Sequence, residues 1–340
     1  MSKLEKINIY VPEHIGNSLD NDATMFEVFK RDGQTINRNR FLSMLILGYH
    51  NSYVEECSSA YNDVIKLLSN GGLDSFKQHE IADSILKTVV LPQVPSRKGK
   101  NPAKLSLKPT KDTEGLLLGL IYNIGIEDSI SQYLCRLLMS YCEKPLTVRE
   151  RIIFRDNYEY LQSACEKRRT VAFSTIWNPD VIHEVIPYKL VYGREEMYNY
   201  LLCGEISSYS GKMEAKSYRL NRITRMSLGR TTLRLTADVE RHLQMMIKYG
   251  PQFMINDDEE TCVRLTEKGR KSFNRIYYGR PRFSRIEKLG DDYLYYFNCS
   301  KDQVLMYFRR FGPHEVEIIY PESLREKMIA FYVGALDVYN

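Results

Sequence analysis

Near Arg168 the hydrophobic periodicity of this chain changes from that of helices to that of strands, which excludes any architecture built on one period. From Ser52 to about Arg169 apolar residues recur at helical spacing, as at Tyr61, Val64, Ile65 and Leu68 and again at Leu134, Leu137 and Leu138. After Arg168-Arg169 they gather into short β-rich runs, Thr170 to Ile176, His183 to Tyr192, Met197 to Ile206 and Ala215 to Leu228, divided by turn residues. A length of 340 residues leaves room for two or three folded units. The expectation is an α+β multidomain protein.

Composition narrows the class further. With 43% hydrophobic and 27% charged residues the chain has the profile of a soluble globular protein, and wholesale disorder is excluded. The longest apolar stretch, Gly115 to Ile126, is too short to cross a bilayer and reads as a buried helix. The segment Met1 to Lys6 lacks the apolar run of a secretory signal, and the seven cysteines are odd in number and scattered, so the expected compartment is the cytoplasm. No close Cys pair marks a zinc site, and the six histidines show no metal-binding spacing. Neither a phosphate-cradling glycine loop nor a Gly-x-Ser-x-Gly elbow is present. We therefore expect no metal, no cofactor and no enzymatic activity.

The net charge of +5 is a weak hint of an anionic partner, and its local distribution says more. Lys268, Arg270, Lys271, Arg275, Arg280, Arg282 and Arg285 follow one another without an acid, interleaved with Phe273, Tyr277, Tyr278 and Phe283. Cations release counterions from phosphates and aromatic faces offer stacking platforms for unpaired bases, so this run suits nucleic acid. A solvated face over a few core aromatics explains the same pattern equally well.

At the amino terminus Lys6 to Val11 alternates polar and apolar residues and ends at Pro12, as a short strand does. Glu13 to Arg31 has helical spacing, Asp32-Gly33 interrupts it, and Thr35 can cap a second helix through Phe41, Leu42, Leu45 and Ile46. One strand and two helices in about 51 residues resemble the ribbon-helix-helix family. The resemblance implies that this strand pairs with the same strand of a second subunit. It also implies that Lys6, Asn8 and Tyr10 face a DNA groove, with Thr35 and Arg38 near the backbone. A dimerisation clip that reads no sequence is the competing interpretation.

Residues 52–169 read as a helical connector, interrupted at Asn70-Gly71-Gly72 and again over 91–110. The latter holds four prolines together with Arg97, Lys98, Lys100, Lys104 and Lys108 and is expected to be an exposed basic loop. Asp128 or Ser129 is expected to start a helix to Cys142, and Thr147 to cap one reaching Glu166.

Residues 170–235 carry three ordered motifs: Ile186-Pro187-Tyr188-Lys189-Leu190-Val191-Tyr192, Tyr198-Asn199-Tyr200-Leu201-Leu202 and Tyr218-Arg219-Leu220-Asn221-Arg222-Ile223. Together they resemble the WYL domain, although Asn199 stands in place of the tryptophan of Trp-Tyr-Leu and Asn221 in place of the usual aspartate. The resemblance implies an Sm/SH3-like barrel that binds nucleic acid or another anionic ligand, with Tyr188, Tyr200, Arg219 and Arg222 as binding residues. Strand alternation puts Arg219 and Arg222 on opposite faces unless the strand bends, and core positions are expected for Tyr192, Tyr198 and Tyr218. Residues 236–340 read strand, helix, hairpin around Gly290-Asp291, helix and strand, an order resembling a ferredoxin-like unit of the kind that follows WYL domains and supports dimerisation.

This order of parts resembles the WYL accessory proteins of type VI-D CRISPR systems. That resemblance implies a homodimer that binds single-stranded RNA and raises the activity of an RNA-guided RNA nuclease. The alternative is a transcriptional regulator whose ribbon reads duplex DNA and whose WYL domain senses a ligand. A protein adaptor with an incidental basic surface is the third reading.

Overall fold

The computed structural model describes residues 5–94, 102–123, 129–194, 197–230 and 234–339. The chain is α+β and divides into two compact units, Met1–Tyr158 and Glu159–Asn340. No described helix is long and apolar enough to cross a membrane.

The first unit contains β1 (Ile7–Val11), α1 (Glu13–Met25), α2 (Arg38–Leu68), α3 (Ser75–Ile85), β2 (Ala103–Leu107), α4 (Lys111–Asn123), α5 (Ile130–Glu143) and α6 (Leu146–Ile153). The strand β1, expected to pair with the same strand of a second subunit, pairs antiparallel with β2 of its own chain, Ile9 opposite Leu105. The stretch expected as an exposed basic loop supplies that partner, with Leu105 and Leu107 buried against the helices. Its polar-apolar alternation was masked by flanking prolines and lysines. Arg97, Lys98 and Lys100 lie outside the described residues.

Other boundaries shift for local reasons. Asn37, not Thr35, caps α2 by accepting a hydrogen bond from the Arg40 amide at 3.1 Å. Thr35 instead closes a turn, its amide donating to Asp32 at 2.8 Å. Residue 51 falls inside α2, which continues as one helix of 31 residues. Ser129 does cap α5, in a reciprocal capping box with Gln132. The helix expected from Thr147 to Glu166 is two, α6 and α7 (Arg155–Lys167), separated at Phe154, whose ψ of 38° leaves the helical region.

Aromatic rings cement α2 to α5: Phe41 and Tyr49 each meet Tyr141 edge-on, with centroids 6.4 and 6.5 Å apart. The Tyr141 hydroxyl and Arg149 each donate to the buried Asp22 carboxylate at 2.8 Å. Burial raises the Asp22 pKa while Arg149 and Tyr141 pull it back.

The second unit adds β3 (Val171–Thr175), β4 (His183–Tyr192), β5 (Asn199–Ile206), β6 (Met213–Arg219), β7 (Ile223–Leu228) and α8 (Ala237–Tyr249). It continues with β8 (Thr261–Leu265), α9 (Glu267–Arg275), β9 (Phe283–Leu289), β10 (Asp292–Phe297), α10 (Lys301–Phe308), β11 (Val316–Tyr320) and α11 (Glu322–Asp337). Five strands form an antiparallel sheet in the order β6-β5-β4-β3-β7, and four form a second in the order β11-β8-β10-β9. Among the described residues no pairing of β6 with β7 closes the first sheet, so the expected barrel is an open sheet. Leu243 and Met246 of α8 cover it, packing on Leu202 and Ala215. The second sheet has its own core of Val263, Phe273, Phe297, Phe308 and Leu324.

Gly48 tests the packing of the first unit. A Cβ there would lie 2.0 Å from the Ile152 carbonyl oxygen, a backbone atom that cannot step aside. We expect Gly48→Ala to lower stability by roughly 1–3 kcal/mol through overpacking. Gly115→Ala, with nothing within 4 Å, should raise it by about 0.5–1 kcal/mol through helix propensity. Urea unfolding of the two variants checks the opposite signs.

Candidate nucleic-acid interface

The motif arginines sit where the strand ends. β6 stops at Arg219, and Leu220 to Arg222 form a single tight turn before β7, so strand alternation does not govern them. The two guanidinium groups reach different rings. That of Arg219 stacks 3.4 Å from the centroid of Tyr198, and that of Arg222 lies 5.7 Å from the centroid of Trp177. Trp177 is 66% exposed, an aromatic platform that the sequence reading did not single out. Its signal was available, since it is the only tryptophan in the chain and follows directly on a strand.

Arg219 carries an unresolved demand for partners. Its Nε and Nη2 are buried without a hydrogen bond, and so are both amide atoms of Asn221. Leaving such groups unpaired costs about 1–3 kcal/mol each, more for a charge. Guanidinium nitrogens want oxygen acceptors, phosphate above all.

The tyrosines are distributed differently from expectation. Tyr200 is 3% exposed and belongs to the core, so its ring is closed to stacking. Tyr198, expected in the core, is the surface on which Arg219 lies, and Tyr192, also expected there, is 51% exposed. Tyr188 lines a cavity of about 940 Å³ together with Arg168, Arg169 and Arg234 and the carboxylates Glu166 and Glu240. The sheet register sets this cavity apart from the motif arginines. Thr170 at its rim precedes the start of β3, whereas Thr175 at the other end of β3 pairs with Ile223, next to Arg222.

Tyr218 is half-buried and forms a cluster with His183 and Glu205. Its hydroxyl donates to Glu205 at 2.5 Å, and His183 Nδ1 lies 2.8 Å from the other carboxylate oxygen. These three groups line a second cavity of about 460 Å³.

The basic-aromatic run divides into compensated and uncompensated charges. Arg285 pairs with Glu260 at 2.6 Å and Glu287 at 3.2 Å and stacks 3.5 Å from the centroid of Tyr296. Arg270 pairs with Glu267 and lies over Tyr293, and Lys268 pairs with Glu315. Arg280 donates to the Phe273 carbonyl. Lys271, Arg275 and Arg282 are exposed and meet no carboxylate among the described residues. Tyr277 and Tyr278 stand beside them, 77% and 55% exposed, while Phe273 is core. The run therefore offers fewer free cations than its sequence suggests, concentrated between Lys271 and Arg282.

On the ribbon, Asn8 and Tyr10 are half-buried and Lys6 exposed, on the face opposite the buried Ile9 and Val11. Arg38 is engaged elsewhere, its guanidinium forming two hydrogen bonds with the Asp20 carboxylate.

No family model matches the chain, and no curated protein matches it. Among solved structures it is similar to that of a CRISPR Cas-related protein, with a TM-score of 0.72 and 22% identity over 100% of this chain and 95% of that one. At this identity the likeness establishes a shared fold. A second similar structure is the proteasome accessory factor B/C of Arthrobacter aurescens, at a TM-score of 0.27 and 13% identity over 99% of this chain and 50% of that one. That score is too low to bear on fold or function.

Burial, and then the hydrogen bond to Glu205, push the Tyr218 phenol well above the ordinary tyrosine value of about 10. The folded state therefore keeps a proton that the unfolded chain releases. Stability from this group is fully present below pH of about 10 and drains away as pH rises beyond it. We expect Tyr218→Phe to flatten the decline of unfolding free energy above that pH, as read by denaturant titration at a series of alkaline pH values.

Proposed function

We propose that this protein is a non-catalytic, homodimeric accessory that binds single-stranded RNA and assists a CRISPR RNA-guided RNA nuclease. The observation that carries the reading is Arg219, 3.4 Å from the Tyr198 ring centroid, with two buried nitrogens that lack acceptors beside an equally unsatisfied Asn221. A phosphate satisfies the guanidinium bidentately, and an amide pair such as that of Asn221 hydrogen-bonds a base edge or a ribose hydroxyl. Exposed Trp177, Tyr277 and Tyr278 supply faces for unpaired bases, and Lys271, Arg275 and Arg282 supply backbone attraction. The motif resemblance to WYL domains and the fold shared with a CRISPR Cas-related protein support the CRISPR setting.

We read the β8-α9-β9-β10-α10-β11 run, with its sheet order β11-β8-β10-β9, as the ferredoxin-like dimerisation unit. Two features favour pairing with a second copy. α11 buries Leu324 and Met328 but leaves Ile329, Val333 and Leu336 at 53%, 52% and 60% exposure. The edge strand β9 is exposed along its whole length, and such an edge is open to another strand. Val333→Asp together with Leu336→Asp is expected to convert a dimer to a monomer in light scattering. A wild-type protein that is monomeric at micromolar concentration would contradict the dimer.

Fluorescence anisotropy with a labelled single-stranded RNA tests the binding itself. Arg219→Ala is expected to weaken affinity about tenfold or more, since it removes charge-assisted bonds and a stacked plane. Arg275→Ala with Arg282→Ala should reduce the slope of log affinity against log salt by about 1.4, at about 0.7 per phosphate for a single strand. Arg285→Ala should change that slope little, because Glu260 and Glu287 already neutralise it. Binding that survives Arg219→Ala unchanged would remove the basis of the proposal.

A further inference from the structure

α2 outruns the core it packs on. Its buried residues end at Tyr53, and none of the fifteen that follow, up to Leu68, is buried. After the turn at Gly71-Gly72, α3 returns along it and buries only Ala82. The two helices are held as a hairpin by their own contacts. The rings of Tyr61 and His79 stack with centroids 6.1 Å apart, and the Tyr61 hydroxyl and His79 Nδ1 share a hydrogen bond of 2.7 Å. At the turn Asp74 caps α3 by accepting from the Lys77 amide at 3.0 Å, and Gln78 Nε2 donates to the Leu73 carbonyl at 2.7 Å. Around this tip Leu67, Leu73 and Phe76 are 75%, 37% and 79% exposed. Large apolar side chains gathered at an exposed tip mark a surface that meets a partner.

The same hairpin is an acidic part of a basic chain. Val54 to Val90 holds six acids and three bases, a net −3, whereas the whole chain is +5. Asp63, Glu80 and Asp83 are exposed and meet no cation among the described residues. We propose that this hairpin is a docking arm for a cationic protein surface, and that its partner is the RNA-guided nuclease of the proposed function, on which reading the inference rests. A protein that holds a guide and a target strand lines its channel with cations. An apolar tip on an acidic arm fits the border of such a channel, where the carboxylates steer the encounter and Leu67 and Phe76 anchor it.

Charge decides against the other occupants. An RNA strand is repelled, since its phosphates meet carboxylates and release no counterions. A second copy docking arm to arm sets −3 against −3, and like charges facing one another cost affinity. The two tasks therefore fall to different residues. Arg219, Lys271, Arg275 and Arg282 hold RNA, and the arm holds the protein that acts on it, so neither surface competes for the other's ligand.

Interferometry of the full-length protein on the immobilised nuclease, freed of guide and target, tests this, because no RNA can then bridge the two. Leu67→Asp with Phe76→Asp is expected to weaken the complex about tenfold or more, chiefly through faster dissociation. Glu80→Lys with Asp83→Lys should slow association about tenfold and flatten its dependence on salt. All four positions are exposed, so circular dichroism should stay that of the parent protein. Neither pair should lower affinity for labelled single-stranded RNA, whereas Arg219→Ala should lower it and leave nuclease binding intact. Nuclease binding unchanged in both pairs would overturn the arm and leave the RNA reading standing. A loss of RNA binding in either pair, or a fall in oligomeric state by light scattering, would assign the arm to RNA or to a second copy and overturn it too. Absence of any complex with the parent protein would overturn the inference together with the nuclease half of the function, while RNA anisotropy still judges the other half.

Discussion

A strand of five residues finds no stability alone in water, and the pairing of β1 with β2 is the constraint on which the first unit rests. It brings residues nearly a hundred positions apart into one ribbon and turns four aliphatic side chains towards the helices. α1, α2 and α5 can then close over that face, and the ring cluster of Phe41, Tyr49 and Tyr141 locks the second helices together. Remove the pairing and the same helices would carry an apolar stripe with nothing to cover. Because the partner strand lies in the same chain, the ribbon of this unit is complete without a second one.

In the second unit the deciding quantity is which charges already have partners. Arg285, Arg270 and Lys268 are neutralised at the surface, where such pairs contribute little to stability but withdraw cations from any ligand. Arg219 is the opposite case, half-buried, stacked on a ring and short of acceptors. A buried guanidinium nitrogen without an acceptor is costly, which sets Arg219 apart from the paired cations of the basic run. Tyr198 and Trp177 flank the two arginines, with their ring centroids 3.4 and 5.7 Å from the guanidinium carbons of Arg219 and Arg222.

The change of period near Arg168, the helix-capping serine at Ser129 and the alternation in Ile7 to Val11 were all legible, because each is a local signal read within one element. The strand, helix, hairpin, helix and strand order after residue 260 was legible for the same reason. The partner of β1 was not, since pairing links Ile9 to Leu105 through no local rule and the prolines around β2 argued for a loop. The core position of Tyr200 was hidden likewise, because period-two alternation gives a face and not the neighbour that covers it.

By itself, then, the sequence determined most helices and strands, though neither β2 nor the break between α6 and α7, together with the α+β class and the clustering of cations with rings between Lys268 and Arg285, since propensity, capping and composition act over a few residues. Tertiary structure alone decided that the ribbon closes within the chain, that Arg219 lies on Tyr198, and that Glu260, Glu287 and Glu315 cancel part of the basic run. Each of these depends on groups brought together from distant positions, and Coulomb and hydrogen-bond energies are set by that separation in space rather than along the chain.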